Sequence, residues 1–136
     1  MLSALMIFFL AADLAAIRSE PNLERRSDMA LDYISGVLGQ VQELYNSGQI
    51  EQWRGALNRI NEAVDLSYES LRAAQKNPRN DKHYKRAELK TREFLRRLDG
   101  MRDEVNFDDR AALDQVRAKI SQVHDELLEK IMGKRR

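Results

Sequence analysis

The chain has 136 residues, a formal net charge of +1 and no cysteine. That length sets one small domain as the expectation, and the missing thiols exclude disulfides, iron–sulfur clusters, thiolate zinc sites and cysteine catalysis. Charged residues make up 33% of the chain against 7% aromatics, with six glycines and two prolines, a mixture that favours long helices.

The first 17 residues, MLSALMIFFLAADLAAI, stand apart, with Asp13 as their only charged side chain. The apolar run from Leu5 to Ala12 falls short of the roughly 20 residues that span a bilayer. It fits the apolar region of a secretory signal, followed by small residues at Ala11, Ala12, Ala15 and Ala16. Residues 1–17 are therefore read as a signal peptide, cut after Ala12 or Ala16, or as a retained N-terminal anchor. A first helix packed into a core is the third reading. No Lys or Arg precedes the apolar run, which a start codon assigned too late would explain. The absence of cysteine also excludes lipidation here.

Four amphipathic helices follow over 18–133. Ser19-Glu20-Pro21-Asn22 opens the first, since Ser or Asn can cap a helix and Pro is tolerated in its first turn. Its apolar stripe is Leu23, Ala30, Ile34, Val37, Val41 and Leu44, at spacings of three and four. Gly36 and Gly39 weaken this helix and suit a closely approaching neighbour. Gly48 is the natural left-handed terminator. The second helix runs from about Ile50 to Gln75 on Trp53, Leu57, Ile60, Val64 and Leu71, and Asn77-Pro78 stops it. The third is capped by Asn80 or Asp81 and follows Tyr84, Ala87, Thr91, Phe94, Leu98, Met101 and Val105. Asp108 is expected to cap the fourth, with Phe107 closing over its first turn. Its stripe runs from Leu113 to Ile131 and ends at Gly133, leaving 134–136 as a basic tail.

Short links between helices of similar length predict an all-α fold, an antiparallel up-down-up-down four-helix bundle. Helical hairpins that dimerise are the structural alternative, so a homo-oligomer stays open. In such a bundle the start of helix one, the 2–3 connection and the end of helix four share one end. That end is expected to be basic: from Arg72 to Arg97 there are ten Lys or Arg against three Asp or Glu, while the rest of the chain is acidic. Glu20, Glu24, Asp28 and Asp81 dilute it.

Chemistry is sparse. The two histidines, His83 and His124, have Asn80 and Ser121 three residues before them, not the Glu of a di-iron bundle. No glycine-rich phosphate loop or Gly-x-Ser-x-Gly nucleophile motif occurs. Ser67 and Thr91 are expected to bond back to helix carbonyls. No catalytic residue, metal or cofactor is expected, and the chain is not read as an enzyme. The candidate anion-binding residues are Lys76, Arg79, Lys82, His83, Lys85 and Arg86, around the N-terminus of helix three, where free N–H groups favour anions. An ordinary solvated basic face is the plain alternative. Arg92, Arg96 and Arg97 are expected to pair with acids such as Glu62, Asp65 and Glu69.

Two stretches carry a resemblance. Glu20-Pro21-Asn22-Leu23-Glu24-Arg25-Arg26-Ser27-Asp28-Met29-Ala30-Leu31, and Ser67-Tyr68-Glu69-Ser70-Leu71-Arg72 with Lys76-Asn77-Pro78-Arg79, resemble uncharacterised exported small helical proteins of bacteria. The resemblance implies export and no activity. The expectation is thus a periplasmic or secreted helical-bundle module of the cell envelope. Its partners would be an anionic polymer, a lipid head group or an acidic protein. Tethering to the membrane through the N-terminal segment is the alternative. Nucleic acid is disfavoured by the near-zero net charge and by export.

Overall fold

The computed structural model describes residues 13–133, and these form a helical bundle with no strand among them. Four long helices account for most of it: α1 (Leu23–Asn46), α2 (Ile50–Ala74), α3 (Lys82–Arg102) and α4 (Arg110–Met132). A 3-10 turn at Phe107–Asp109 leads into α4. Residues 13–18 are also helical, and the apolar run 5–12 lies outside the described residues.

Local chemistry sets most of the boundaries. Asn22 caps α1, its side-chain oxygen accepting the Arg25 N–H at 3.0 Å. Gly48, at φ 76°, turns the chain into α2. Gln75 closes α2 in the left-handed region at φ 57°, a conformation that costs a non-glycine residue about 1–2 kcal/mol. Both expected caps of the later helices fail. Asp81 holds the N-cap position of α3 without a side-chain capping bond. Asp109 precedes α4 in place of Asp108 and also accepts no capping bond. Phe107 is 82% exposed rather than folded over the turn, and Val105, past the end of α3, is the residue that buries there.

The apolar stripes meet in one core. Ile34, Leu38, Leu57, Ile60, Leu71, Phe94, Leu98 and Ile120 are all essentially inaccessible, and full burial of such side chains is worth about 1.5–3 kcal/mol each. α1 packs against α2 and α3 against α4, each pair joined by a short connection into a hairpin. The turn of the first hairpin is pinned by the Tyr45–Trp53 ring pair, 5.0 Å between centroids. The second carries two double-pronged pairs, Arg102–Asp114 and Arg117–Asp99.

Between the hairpins, α1 packs on α3 and α2 on α4, whereas α2 and α3 barely touch. Residue numbers rise together across these seams. Along α1 and α3, Asp28 meets His83, Asp32 meets Arg86 and Gln42 meets Glu104. Along α2 and α4, Arg54 meets Asp109 and Asp65 meets Lys119. The 75–81 connection therefore crosses the bundle diagonal. Helices about 10 Å apart leave a diagonal of about 14 Å, well within the reach of seven residues.

This arrangement redirects several side chains. Arg92 cannot reach α2 and pairs with Glu88 on its own helix, while Glu62 takes Arg18 and Arg59. Gly36 meets nothing within 4 Å and Gly39 only the tip of Arg97, so neither admits a neighbouring helix. Thr91 bonds back to the Ala87 and Glu88 carbonyls as expected. Ser67 instead shares a 2.7 Å hydrogen bond with Ser27 across the α1–α2 seam, both residues buried.

The segment 13–18 folds back along α1. Leu14 joins the core and Ile17 is 6% exposed. Asp13 lies close enough to Tyr33 to act on its phenol, whose pKa is pushed up to about 12, chiefly by burial.

Replacing Ser27 or Ser67 by Ala strands the other hydroxyl in the core, and each single change is expected to cost about 1–2 kcal/mol. The double replacement should cost less than the two together, by at least about 0.5 kcal/mol. Urea denaturation of the four proteins measures this, and strict additivity would show that the seam bond contributes nothing.

Candidate functional site

The connection between α2 and α3 is built as a turn. The Asn77 side chain accepts the Arg79 N–H at 3.1 Å and its carbonyl accepts the Asn80 N–H, a local closure typical of asparagine. Arg79 then lies flat against the end of α4. Gly133 sits at φ 68° with the Arg79 side chain packed against it, so glycine is favoured there by its backbone conformation. The start of α1, this hairpin and the end of α4 thus share one end of the bundle.

That end contains acids as well as bases, and they meet. Lys76 Nζ is 3.6 Å from Glu24, and His83 lies between Glu24 (Nε2, 3.9 Å) and Asp28 (Nδ1, 3.0 Å). Arg86 divides its guanidinium between Asp28 at 3.4 Å and Asp32 at 2.8 Å. Arg26 is also structural: its Nε donates to Ser70 at 2.8 Å and its Nη1 reaches the carbonyls of Arg18 and Glu20. It thereby ties the 19–22 turn to α2.

Three of the six sequence candidates, Lys76, His83 and Arg86, are therefore partnered by acids of α1. Arg79, Lys82 and Lys85 are exposed, and no acid lies within ion-pair distance of them among the described residues. From Lys82 the outer face of α3 continues through Lys85, Leu89, Arg92 and Arg96, all exposed at spacings of three and four. Helical rise makes this row about 21 Å long. Among the described residues, Arg92 alone of its cations has an acidic partner. Arg96 belongs to this row and was not among the sequence candidates; the period of exposed residues on α3 would have found it.

A second polar node lies midway along the α3–α4 seam. Glu88 is 6% exposed. It accepts Arg92 Nη2 on both oxygens, at 2.7 and 2.8 Å, Arg92 Nε at 3.0 Å, and pairs with His124 Nε2 at 2.8 Å. Burial alone would push its carboxyl up, but the hydrogen bonds from Arg92 and His124 and their charges outweigh it and hold it below the ordinary range. An acid kept ionised in this way is a structural acceptor and no proton donor near neutrality. Glu88 sits one position from the apolar Ala87, and nothing in its spacing distinguished it from a solvated Glu.

A scan against protein-family models gives no match, and neither the curated proteins nor the solved structures contain one. The functional reading therefore rests on this chain's own geometry.

Because the folded-state pKa of Glu88 is depressed, its stabilising contribution is complete above the unfolded carboxyl value of 4.5 and is lost as pH falls through the folded value. Glu88→Gln is expected to cost about 1–3 kcal/mol at pH 7. Its stability should also fall less than that of the parent on acidification below pH 4.5. Parallel denaturation curves in acid for the two proteins would show that Glu88 is not coupled to folding.

Proposed function

We propose that the chain is an envelope binding module that contacts an anionic polymer along the outer face of α3 and the hairpin before it. One observation carries this reading: among the described residues Arg79, Lys82, Lys85 and Arg96 are exposed cations without acidic partners, the last three on one face of α3 over a length suited to a linear ligand. An ordinary charged surface disperses its signs and pairs them, as the outer faces of α2 and α4 do here through Asp65 with Lys119 and Glu62 with Arg59. Leu89, 57% exposed in the middle of the row, adds an apolar contact of the kind a sugar ring or alkyl stem covers. A net charge of only +1 limits the attraction to this face and keeps it salt-sensitive.

The contacts between hairpins support an up-down-up-down run of the four long helices, in the order α1, α2, α4, α3 around the bundle. In that arrangement α3 has one face open to a ligand and its opposite face closed by Phe94 and Leu98. No described helix is long and apolar enough to cross a membrane. At Asp13 the chain lies beside Tyr33, about 15 Å along the bundle from α1's first residue, rather than at the hairpin end. A tether there would not press the basic hairpin onto head groups, which favours a polymer over a bilayer.

Export completes the proposal, and burial of Leu14 bears on how it occurs. A cut after Ala16 would strip Leu14 from the core, at a cost of about 2–5 kcal/mol by analogy with large-to-small core changes. A cut after Ala12 keeps Leu14 and Ile17 in place. Mass spectrometry of the native protein is therefore expected to find a chain outside the cytoplasm that begins at Asp13. A chain beginning at Ile17 would contradict the role given to Leu14, and an intact Met1 in the cytosol would end the export reading.

Retention on an immobilised sulfated polysaccharide tests the contact surface. The wild-type chain should be retained at low salt and released by moderate salt, and Lys82→Glu with Lys85→Glu should abolish retention. Arg54→Glu with Arg110→Glu makes the same charge change away from the row and should leave part of the retention. Equal loss from both pairs would reduce the effect to net charge, and the proposal would fall.

A further inference from the structure

We propose that Glu24, Asp81 and His83 form a binding site for a divalent transition-metal ion, with Asp28 orienting the histidine. The site goes beyond the polymer-contact reading and does not depend on it. One ligand atom from each of the three residues lies within 4.8 Å of the other two, and all three residues are partly buried. Asp28 Oδ2 stands 3.0 Å from His83 Nδ1. A carboxylate there takes the Nδ1–H, fixes the tautomer and leaves the Nε2 lone pair directed toward Glu24, 3.9 Å away. A carboxylate behind a ligating imidazole is the usual outer support of a metal-bound histidine.

An independent observation comes from Asp81. It occupies the N-cap of α3, where an aspartate ordinarily accepts a backbone N–H of the first turn, yet it makes no such bond. Its Oδ2 is buried and has no hydrogen-bond partner. A carboxylate oxygen removed from water and left without a donor costs several kcal/mol, and such a group calls for an explanation. An ion shared with Glu24 and His83 supplies one.

The donor set defines the ion. One imidazole nitrogen and two carboxylate oxygens suit zinc and its neighbours, whereas magnesium and calcium favour oxygen alone. Tetrahedral zinc with bonds near 2.0–2.1 Å separates its ligand atoms by about 3.4 Å. Closing the present set from 4.8 Å therefore takes shifts on the order of 1 Å, within reach of side-chain rotation. Three protein ligands leave a fourth position for water or for an anion.

Two cations border the site. Lys76 shares Glu24 at 3.6 Å and Arg86 shares Asp28 at 3.4 Å. Metal binding at Glu24 displaces Lys76 while Arg86 keeps Asp28 and Asp32. The freed ammonium then joins Arg79 and Lys82 at the hairpin. The sequence hid this arrangement because its ligands come from two helices and lack the Glu-x-x-His spacing of bundle metal sites.

The test uses the full chain, stripped of metal by chelation, and zinc chloride as the probe. Titration calorimetry should give saturable binding of one zinc per chain. The chain has two histidines, so their ring signals in NMR separate this site from general affinity: His83 should shift on zinc addition while His124 stays in place. His83→Gln and Asp81→Asn should each weaken binding at least tenfold, and Asp28→Asn about tenfold, the usual outer-support effect. Magnesium at the same concentration should shift neither ring. Equal movement of both histidines, unaltered affinity in the Asp81→Asn protein, or no saturable binding would each overturn the proposal. The NMR comparison is made on the wild-type chain, so it holds even if a variant fails to fold.

Discussion

Each helical hairpin of this protein carries an apolar face wider than its own two helices can cover, and joining those faces is the constraint on which the rest of the structure depends. Ile34 and Leu38 on α1, Leu57 and Ile60 on α2, Phe94 and Leu98 on α3, and Val116 and Ile120 on α4 all lie in one core. With no cysteine in the chain, that burial has no covalent support. Among the described residues, the fully buried polar side chains are partnered: Ser27 with Ser67, Ser70 with Arg26, Thr91 with its own helix, Glu88 with Arg92 and His124. This follows the rule that a buried polar group is tolerated when it is partnered.

Once the hairpins are joined with α1 beside α3, charge at the hairpin end is decided by register. The acids of α1's first three turns, Glu24, Asp28 and Asp32, fall at successive helical turns and face the first turns of α3. They take up Lys76, His83 and Arg86 and leave Arg79, Lys82 and Lys85 to solvent. Such exposed pairs contribute little to stability one at a time. Their larger effect is to sort the cations into an inward set that fixes the seam and an outward set available to a ligand. The proposed metal site lies where the sorting is incomplete, at Asp81, whose buried Oδ2 meets no base or backbone N–H among the described residues.

The two proposals share an end of the molecule and differ in what they ask of it. The polymer contact needs a row of cations on the open side of α3 and no precise geometry, because screened attraction between exposed charges tolerates ångström shifts. The metal site needs three atoms brought to within bonding distance, supported by the Asp28–His83 hydrogen bond. A bound ion would add positive charge and release Lys76 beside the row, so occupancy would strengthen the attraction for an anion.

Sequence alone determined the helices and most of their limits, because a 3.6-residue period of apolar side chains can be satisfied by a helix with one buried face and little else. Asn22, Gly48 and Gly133 marked ends through local chemistry that needs no partner. The basic character of the hairpin was equally legible, since charge can be counted. What tertiary structure decided was adjacency. A seven-residue link is long enough for α3 to sit beside α2 or across the diagonal, and the loop's residues do not distinguish the two. From that choice follow His83 standing among Glu24, Asp28 and Asp81, and Arg86 reaching Asp28 and Asp32. Neither contact has a sequence spacing that announces it, because each joins the start of α1 to the start of α3, elements that come together only when the hairpins close on a common core.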